Sequence, residues 1–197
     1  VHLPNFLPAA GFEPGGGLPG EGALYFGRLS PEKGLATLLE AAERTGMSWK
    51  IVGEGPMRDS LAAAIRERSL TNVSLLGYKP AEALIPVIRS SMFVVLPSAW
   101  YENQPYAVME AFALEKPVVA ARIGGIPELV RDGETGLTFE SGNAADLAEK
   151  ATLLFRSPAR ARDLGRNARR LVETEFSPAD HYRRLMGVYA SVLRGKA

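Results

Sequence analysis

The sequence predicts an α/β fold, a parallel sheet covered by helices on both faces and followed by a helical tail. Three observations predict it. Short apolar runs closed by glycine, proline or a small residue recur along the chain, as in strands buried on both faces. Stretches with apolar residues at helical spacing separate those runs, which implies right-handed crossovers between parallel strands. The last fifty residues lose the strand signal and keep only the helical one.

The runs are "ALYFG" at 23–27, "WKIVG" at 49–53, "VSLLG" at 73–77, "MFVVLP" at 92–97 and "PVVAA" at 117–121. Between the first two, "GLATLLEAAERTG" places Leu35, Leu38, Leu39 and Ala42 at i, i+3, i+4 and i+7, with Gly46 as the stop. The same reasoning gives helices near 56–68, 80–90, 104–115 and 126–131. In the tail, "NAADLAEKATLLF", "PARARDLGRNARRLVETEF" and "PADHYRRLMGVYASVLR" each open on a capping residue or a proline. Residues 9–22, "AAGFEPGGGLPGEG", read as a linker, so residues 1–8 are expected to end a preceding unit and the chain to be a piece of a longer protein.

Composition narrows the function. With 46% hydrophobic and 23% charged residues, 197 residues suffice for one large or two small globular domains. There is no cysteine, and the two histidines are far apart, so thiolate chemistry and Cys-based zinc sites are excluded and a metal shell is poorly supplied. Lys plus Arg at 23 nearly balances Asp plus Glu at 22, which argues against a general nucleic-acid binder. No apolar run approaches the ~20 residues that span a bilayer, and the N-terminus has no signal-peptide pattern, so the expected location is cytoplasmic.

Open parallel sheets bind ligands at the carboxyl ends of their strands, so the loops there carry the candidates. In "FGRLSPEKG", Arg28 and Lys33 flank a turn made by Ser30 and Pro31, placed to meet a diphosphate; the alternative is a solvated turn. In "GEGP", Gly53 and Gly55 let backbone approach a ligand, although a plain tight turn explains them equally well. The stretch "SAWYENQPYAVMEAF" sets Glu102 and Glu110 eight residues apart across a helix start that Asn103 is expected to cap. Two carboxylates there suit hydroxyls at the two ends of one molecule with an anion between them; the alternative is a cap and a surface glutamate. Gly124 and Gly125 in "GGIPELV" permit a further close approach. The G-x-G-x-x-G match at 15–20 precedes the first strand instead of following it, which makes it a decoy. Arg162, Arg166, Arg169 and Arg170 share a helical face, read as solvated surface or as a contact to an anionic membrane or partner. His181 is expected to be structural.

Together "YFGRLSPEKG", "IVGEGP", "LLGY", "LPSAWYENQPYAVMEAFALEKPVVA", "GGIPELV" and "DGETGL" resemble, in order from about residue 22 onward, the C-terminal donor-binding domain of the retaining glycosyltransferases of family 4. Such enzymes have the GT-B architecture of two facing Rossmann-like domains. The resemblance implies that 22–197 binds a nucleotide-diphosphate sugar, that 1–21 is interdomain connection and linker, and that the N-terminal acceptor domain is absent. By position, Arg28 and Lys33 would hold the diphosphate and Glu102 the donor sugar near its anomeric carbon. Asn103, Gln104 and Pro105 would line the sugar and phosphate, and Glu110 would take the ribose hydroxyls. Gly53 and Gly55 would border the nucleotide, with Tyr78 near the base. Family members commonly carry a Gly-Phe-Gly-like stretch after the first glutamate; Asn-Gln-Pro stands here, which leaves the sugar's identity open.

What the resemblance further implies is retaining transfer with no cofactor and no bound metal, the leaving phosphate helping to deprotonate the acceptor. The isolated domain is expected to bind donor weakly and turn over little. Expected partners are the donor and the acceptor domain, with no nucleic acid, plus a peripheral membrane contact in the full-length enzyme. Alternatives are a nucleotide-binding regulatory module, or a GT-B-fold epimerase or phosphorylase.

Overall fold

The structure is a computed structural model and describes residues 2–8, 11–15 and 20–195. The linker reading at 9–22 and the match at 15–20 therefore fall partly outside the described residues. Six strands form one parallel sheet: β1 (Ala23–Phe26), β2 (Trp49–Val52), β3 (Val73–Leu75), β4 (Phe93–Leu96), β5 (Val118–Ala121) and β6 (Gly136–Phe139). Their order is β3-β2-β1-β4-β5-β6, so the chain reverses its direction of travel between β1 and β4. Among the described residues the helices are α1 (Leu35–Glu43), α2 (Arg58–Glu67), α3 (Ala81–Ser90), α4 (Tyr106–Ala113), α5 (Ile126–Leu129), α6 (Ala144–Phe155), α7 (Pro158–Glu175) and α8 (Pro178–Arg194). This is the doubly wound, Rossmann-like arrangement with a helical tail that the apolar runs predict. No helix among the described residues is long and apolar enough to cross a membrane.

Side chains leave a strand alternately to its two faces, and the core divides accordingly. Tyr25, Trp49, Ile51, Phe93 and Val95 face a layer built with Leu35 and Leu38 of α1, Leu61 of α2 and Leu147 of α6. Leu24, Phe26, Val94, Leu96 and Val118 face the other layer, with Ile88 of α3, Phe112 of α4 and Leu171 of α7. Both faces are covered, which is why β1, β4 and β5 are buried at every position.

Two local features depart from the sequence reading. Strand β6, "GLTF", lies in a stretch without an apolar run; it exists because it pairs with β5 from Val118↔Gly136 to Ala121↔Phe139. The backbone amide and hydroxyl of Thr138 also donate to Asp132 Oδ1, at 2.6 and 3.2 Å. Asn103 does not cap α4. The N-cap position is Pro105, and no side chain caps it. A proline disfavours helical geometry in the residue before it, so the helix starts only after Pro105 and Asn103 stays on an exposed loop.

Candidate donor site at the carboxyl end of the sheet

The crevice between β1 and β4 is closed by the turns that leave those strands. After β1, Pro31–Lys33 form a 3-10 turn ended by Gly34, whose φ is 68°. A Cβ on Gly34 would sit 1.9 Å from the carbonyl oxygen of Pro97, so only glycine lets this turn lie on the β4 loop. Ala99 N then donates to Glu32 O at 2.9 Å, a second tie across the switch point. Inside the turn, buried Ser30 donates from Oγ to Glu32 Oε1 at 2.5 Å. That bond, followed by the backbone amide and the weaker fields of Arg28 and Lys33, holds the Glu32 carboxyl below its usual range.

These ties bring Lys33 and Glu102 together. Lys33 Nζ lies 2.5 Å from Glu102 Oε1, and the same oxygen accepts from Ser98 Oγ at 2.9 Å. The two side chains keep only 25% and 18% of their surface exposed, so each charge depends on the other for much of its solvation. The Glu102 loop rests on the glycine pair after β5. Gly125 N donates to Glu102 O at 2.7 Å, and a Cβ on Gly124 would meet Glu102 N at 2.8 Å. Arg28 is exposed in the loop after β1, its carbonyl accepting from Tyr25 OH at 2.7 Å. Burial first, then the charges of Glu102 and Glu32, push the Tyr25 phenol well above its usual range, so it remains a neutral strut.

Glu110 lies in the second turn of α4 and is half-buried. Burial lifts its carboxyl above the usual range. No hydrogen bond to its carboxylate is formed among the described residues, so a hydroxyl-bearing ligand would improve its situation.

Gly53 and Gly55 are in close backbone contact with the β1 loop, and Gly53 also lines a cavity there. A Cβ on Gly53 would meet Gly27 O at 1.8 Å and one on Gly55 would meet Leu29 O at 2.3 Å; both glycines have positive φ. Their smallness lets the β2 loop pack on the β1 loop at Gly27 and Leu29, the two neighbours of Arg28. Beside them is a cavity of about 350 Å³ lined by Phe26, Val52, Leu84, Arg28 and Tyr78. Tyr78 stands at its rim, 71% exposed.

Gln104 is bonded to the N-terminal segment. Its amide accepts from Asn5 N at 2.5 Å and donates to Asn5 O at 3.1 Å, pinning the N-terminal segment. That segment also meets α8, where His181 Nδ1 is 2.7 Å from Pro4 O and its ring lies against Phe6, in keeping with a structural histidine. The four-arginine face does not hold together. Arg169 is largely buried, bonded to the carbonyls of Phe12 and Ala113 and to Glu173, because α7 packs on α4 there. Sequence reasoning passed over Tyr25 and Ser98, the two side chains that fix Arg28 and Glu102. Ser98 follows the β4 run directly and Tyr25 is the polar member of the β1 run, but only the fold puts their hydroxyls beside those partners. It also passed over the exposed Trp100, Tyr101 and Tyr106 around the Glu102 loop.

Residues 20–171 match the family of glycosyl transferases group 1. The chain belongs to that family. An uncharacterized glycosyltransferase of Methanocaldococcus jannaschii is 32% identical over 146 residues, 74% of this chain and 41% of the relative. Sucrose-phosphate synthase from Thermosynechococcus elongatus superposes with a TM-score of 0.86 at 25% identity, covering 98% of this chain and 52% of that one. TarM of Staphylococcus aureus, a mutant solved with fondaparinux, alpha-GlcNAc-glycerol and UDP, gives 0.81 at 25% identity over 96% of this chain and 38% of that one. This group 1 chain thus spans less than half the length of that curated relative and about half or less of those two solved chains.

Proposed function

We propose that residues 22–197 are the donor-binding half of a retaining, metal-independent glycosyltransferase of family 4, with GT-B architecture, acting on a nucleotide-diphosphate sugar. The observation that supports it is the pairing of Lys33 with Glu102 at 2.5 Å, which joins the turn after β1 to the loop after β4 across the switch point, with Arg28 just before that turn and Glu110 in the helix that follows the loop. The uncapped first turn of α4 adds backbone amides to the same end of the sheet. That TarM was solved with UDP supports a nucleoside diphosphate as the core of the ligand.

In this reading the diphosphate draws Lys33 away from Glu102 and takes up Arg28, which frees Glu102 for the sugar hydroxyls. Glu110 accepts from the ribose hydroxyls, and the cavity beside Tyr78 receives the base. During transfer the bond from the anomeric carbon to the phosphate oxygen breaks, its electron pair going to the phosphate. The acceptor oxygen bonds to the same face of that carbon, and its proton passes to the departing phosphate. Arg28 and Lys33 stabilise the charge that develops there.

The acceptor domain belongs to a part of the enzyme outside residues 22–197. Helix α8 supports that division. Of its residues only Asp180 is buried, while Tyr182, Met186, Tyr189 and Leu193 stand exposed at i, i+4, i+7 and i+11, a stripe for the remainder of the enzyme to cover.

Calorimetric titration of uridine, guanosine and adenosine diphosphates tests the site. One nucleotide is expected to bind, and Arg28→Ala, Lys33→Ala and Glu110→Ala each to weaken it at least about tenfold, roughly one charge-assisted hydrogen bond. Unchanged affinity in all three variants would remove the nucleotide from this crevice.

A further inference from the structure

The donor reading leaves the opposite end of the sheet unused, and a cleft of about 300 Å³ opens there. Met92 before β4, Leu114 and Lys116 before β5, and Pro158, Ala159 and Arg162 in the first turns of α7 line it. Lys116 is the anomaly. Only 8% of its surface is exposed, so its stem is buried, and Nζ, which is not fully enclosed, has the cleft beside it. Lysines so buried are normally paired. Here the ammonium has no hydrogen-bond partner among the described residues; burial lowers its pKa, and the Glu115 carboxylate opposes that only through space.

Two further groups of donors meet the same space. Ser157 at the N-cap of α7 provides no side-chain cap, whereas Asn143 and Ser177 cap α6 and α8 with side-chain bonds. Pro158 has no N–H and Ala161 N is satisfied by Ser157 O, which leaves the amides of Ala159 and Arg160 at the tip of an 18-residue helix. Arg162 is the second. On the same helix Arg166 is held by Asp163 at 2.5 Å and Arg169 by two carbonyls and Glu173, but Arg162 is exposed on the cleft with no partner among the described residues. Asp163 also lines the cleft, yet Arg166 neutralises it, so Glu115 is the one acid of the lining without a cation bound to it.

We propose that this cleft is a second anion site, which takes a dianionic phosphate group on Lys116, Arg162 and the first-turn amides of α7. An ammonium, a guanidinium fork and two amides match three phosphate oxygens better than the two oxygens of a carboxylate. The cleft is larger than the ion, so a phosphorylated metabolite of monosaccharide size fits as well as free phosphate.

The test is calorimetric titration of this chain with inorganic phosphate and with ribose 5-phosphate, alongside amide NMR. Binding is expected to shift the Ala159 and Arg160 amides, to weaken at least about tenfold in Lys116→Met and Arg162→Ala, and to stay unchanged in Arg28→Ala. Tighter binding of ribose 5-phosphate assigns the site to a phosphorylated metabolite, and equal or tighter binding of phosphate alone assigns it to the free ion; both uphold it. Because Arg162 is exposed, Arg162→Ala reads the site even if Lys116→Met does not fold. The proposal fails if neither compound binds, if Arg162→Ala binds as the parent does, or if binding is lost only in Arg28→Ala, which would place it in the donor crevice.

Discussion

At 2.5 Å, Lys33 and Glu102 each hold the other's charge in a partly buried position, and removing one strands the other. Lys33→Met alone is expected to cost about 1–3 kcal/mol in urea unfolding. The double variant Lys33→Met with Glu102→Gln should recover part of that, and a cycle with no coupling would show that the pair is immaterial to stability. Glu110 behaves in the opposite sense. Its folded pKa is raised by burial, so the native state holds its proton to higher pH than the unfolded chain does. Stability from this group is therefore present at acid pH and lost as pH rises from the unfolded carboxylate range, about 4.3, through the raised value. Glu110→Gln is expected to raise the melting temperature at pH 7, with the gain vanishing toward pH 4, while nucleotide binding weakens. A gain independent of pH would show that desolvation of the carboxylate is not the cause.

Among the elements, two residues of positive φ are expected to respond oppositely to substitution. Gly34 ends the 3-10 turn where a Cβ would strike Pro97 O, backbone that cannot yield without moving the β4 loop. Gly34→Ala should cost about 2–4 kcal/mol and weaken nucleotide binding, because it separates the Arg28 and Glu102 loops. Ser69, at φ 53°, follows α2 in a closing turn in which Ser69 N bonds Arg66 O and Leu70 N bonds Ile65 O. There Ser69→Gly keeps both bonds and relieves the backbone, a gain of about 0.5–1 kcal/mol in chemical denaturation. Helix positions were readable from spacing because burial on one face imposes a period, and strand positions from unbroken apolar runs because both faces of the sheet are covered. The exceptions have local causes: Pro105 delays α4, and β6 has too few apolar residues to signal without its partner β5.

For the molecule as a whole, Gln104 joins the N-terminal segment to the loop that carries Glu102. Gln104→Ala is expected to speed proteolysis within residues 2–8 severalfold and to change nucleotide affinity little; a loss of affinity as large as that of Arg28→Ala would return Gln104 to the donor contacts. Sequence by itself determined the succession of β1 to β5 with their helices and the parallel sheet, and pointed to the end of the sheet where the ligand is proposed, because these follow from apolar patterning and from the handedness of crossovers. Six ordered motifs added the family. What only tertiary structure decided is which groups meet: that Lys33 neutralises Glu102, that Gly53 and Gly55 serve loop packing, that Gln104 holds Asn5, and that Lys116 is buried without a partner. Those depend on distances between residues far apart in the chain, which are set when the sheet closes its core and leave no trace in the spacing of any one segment.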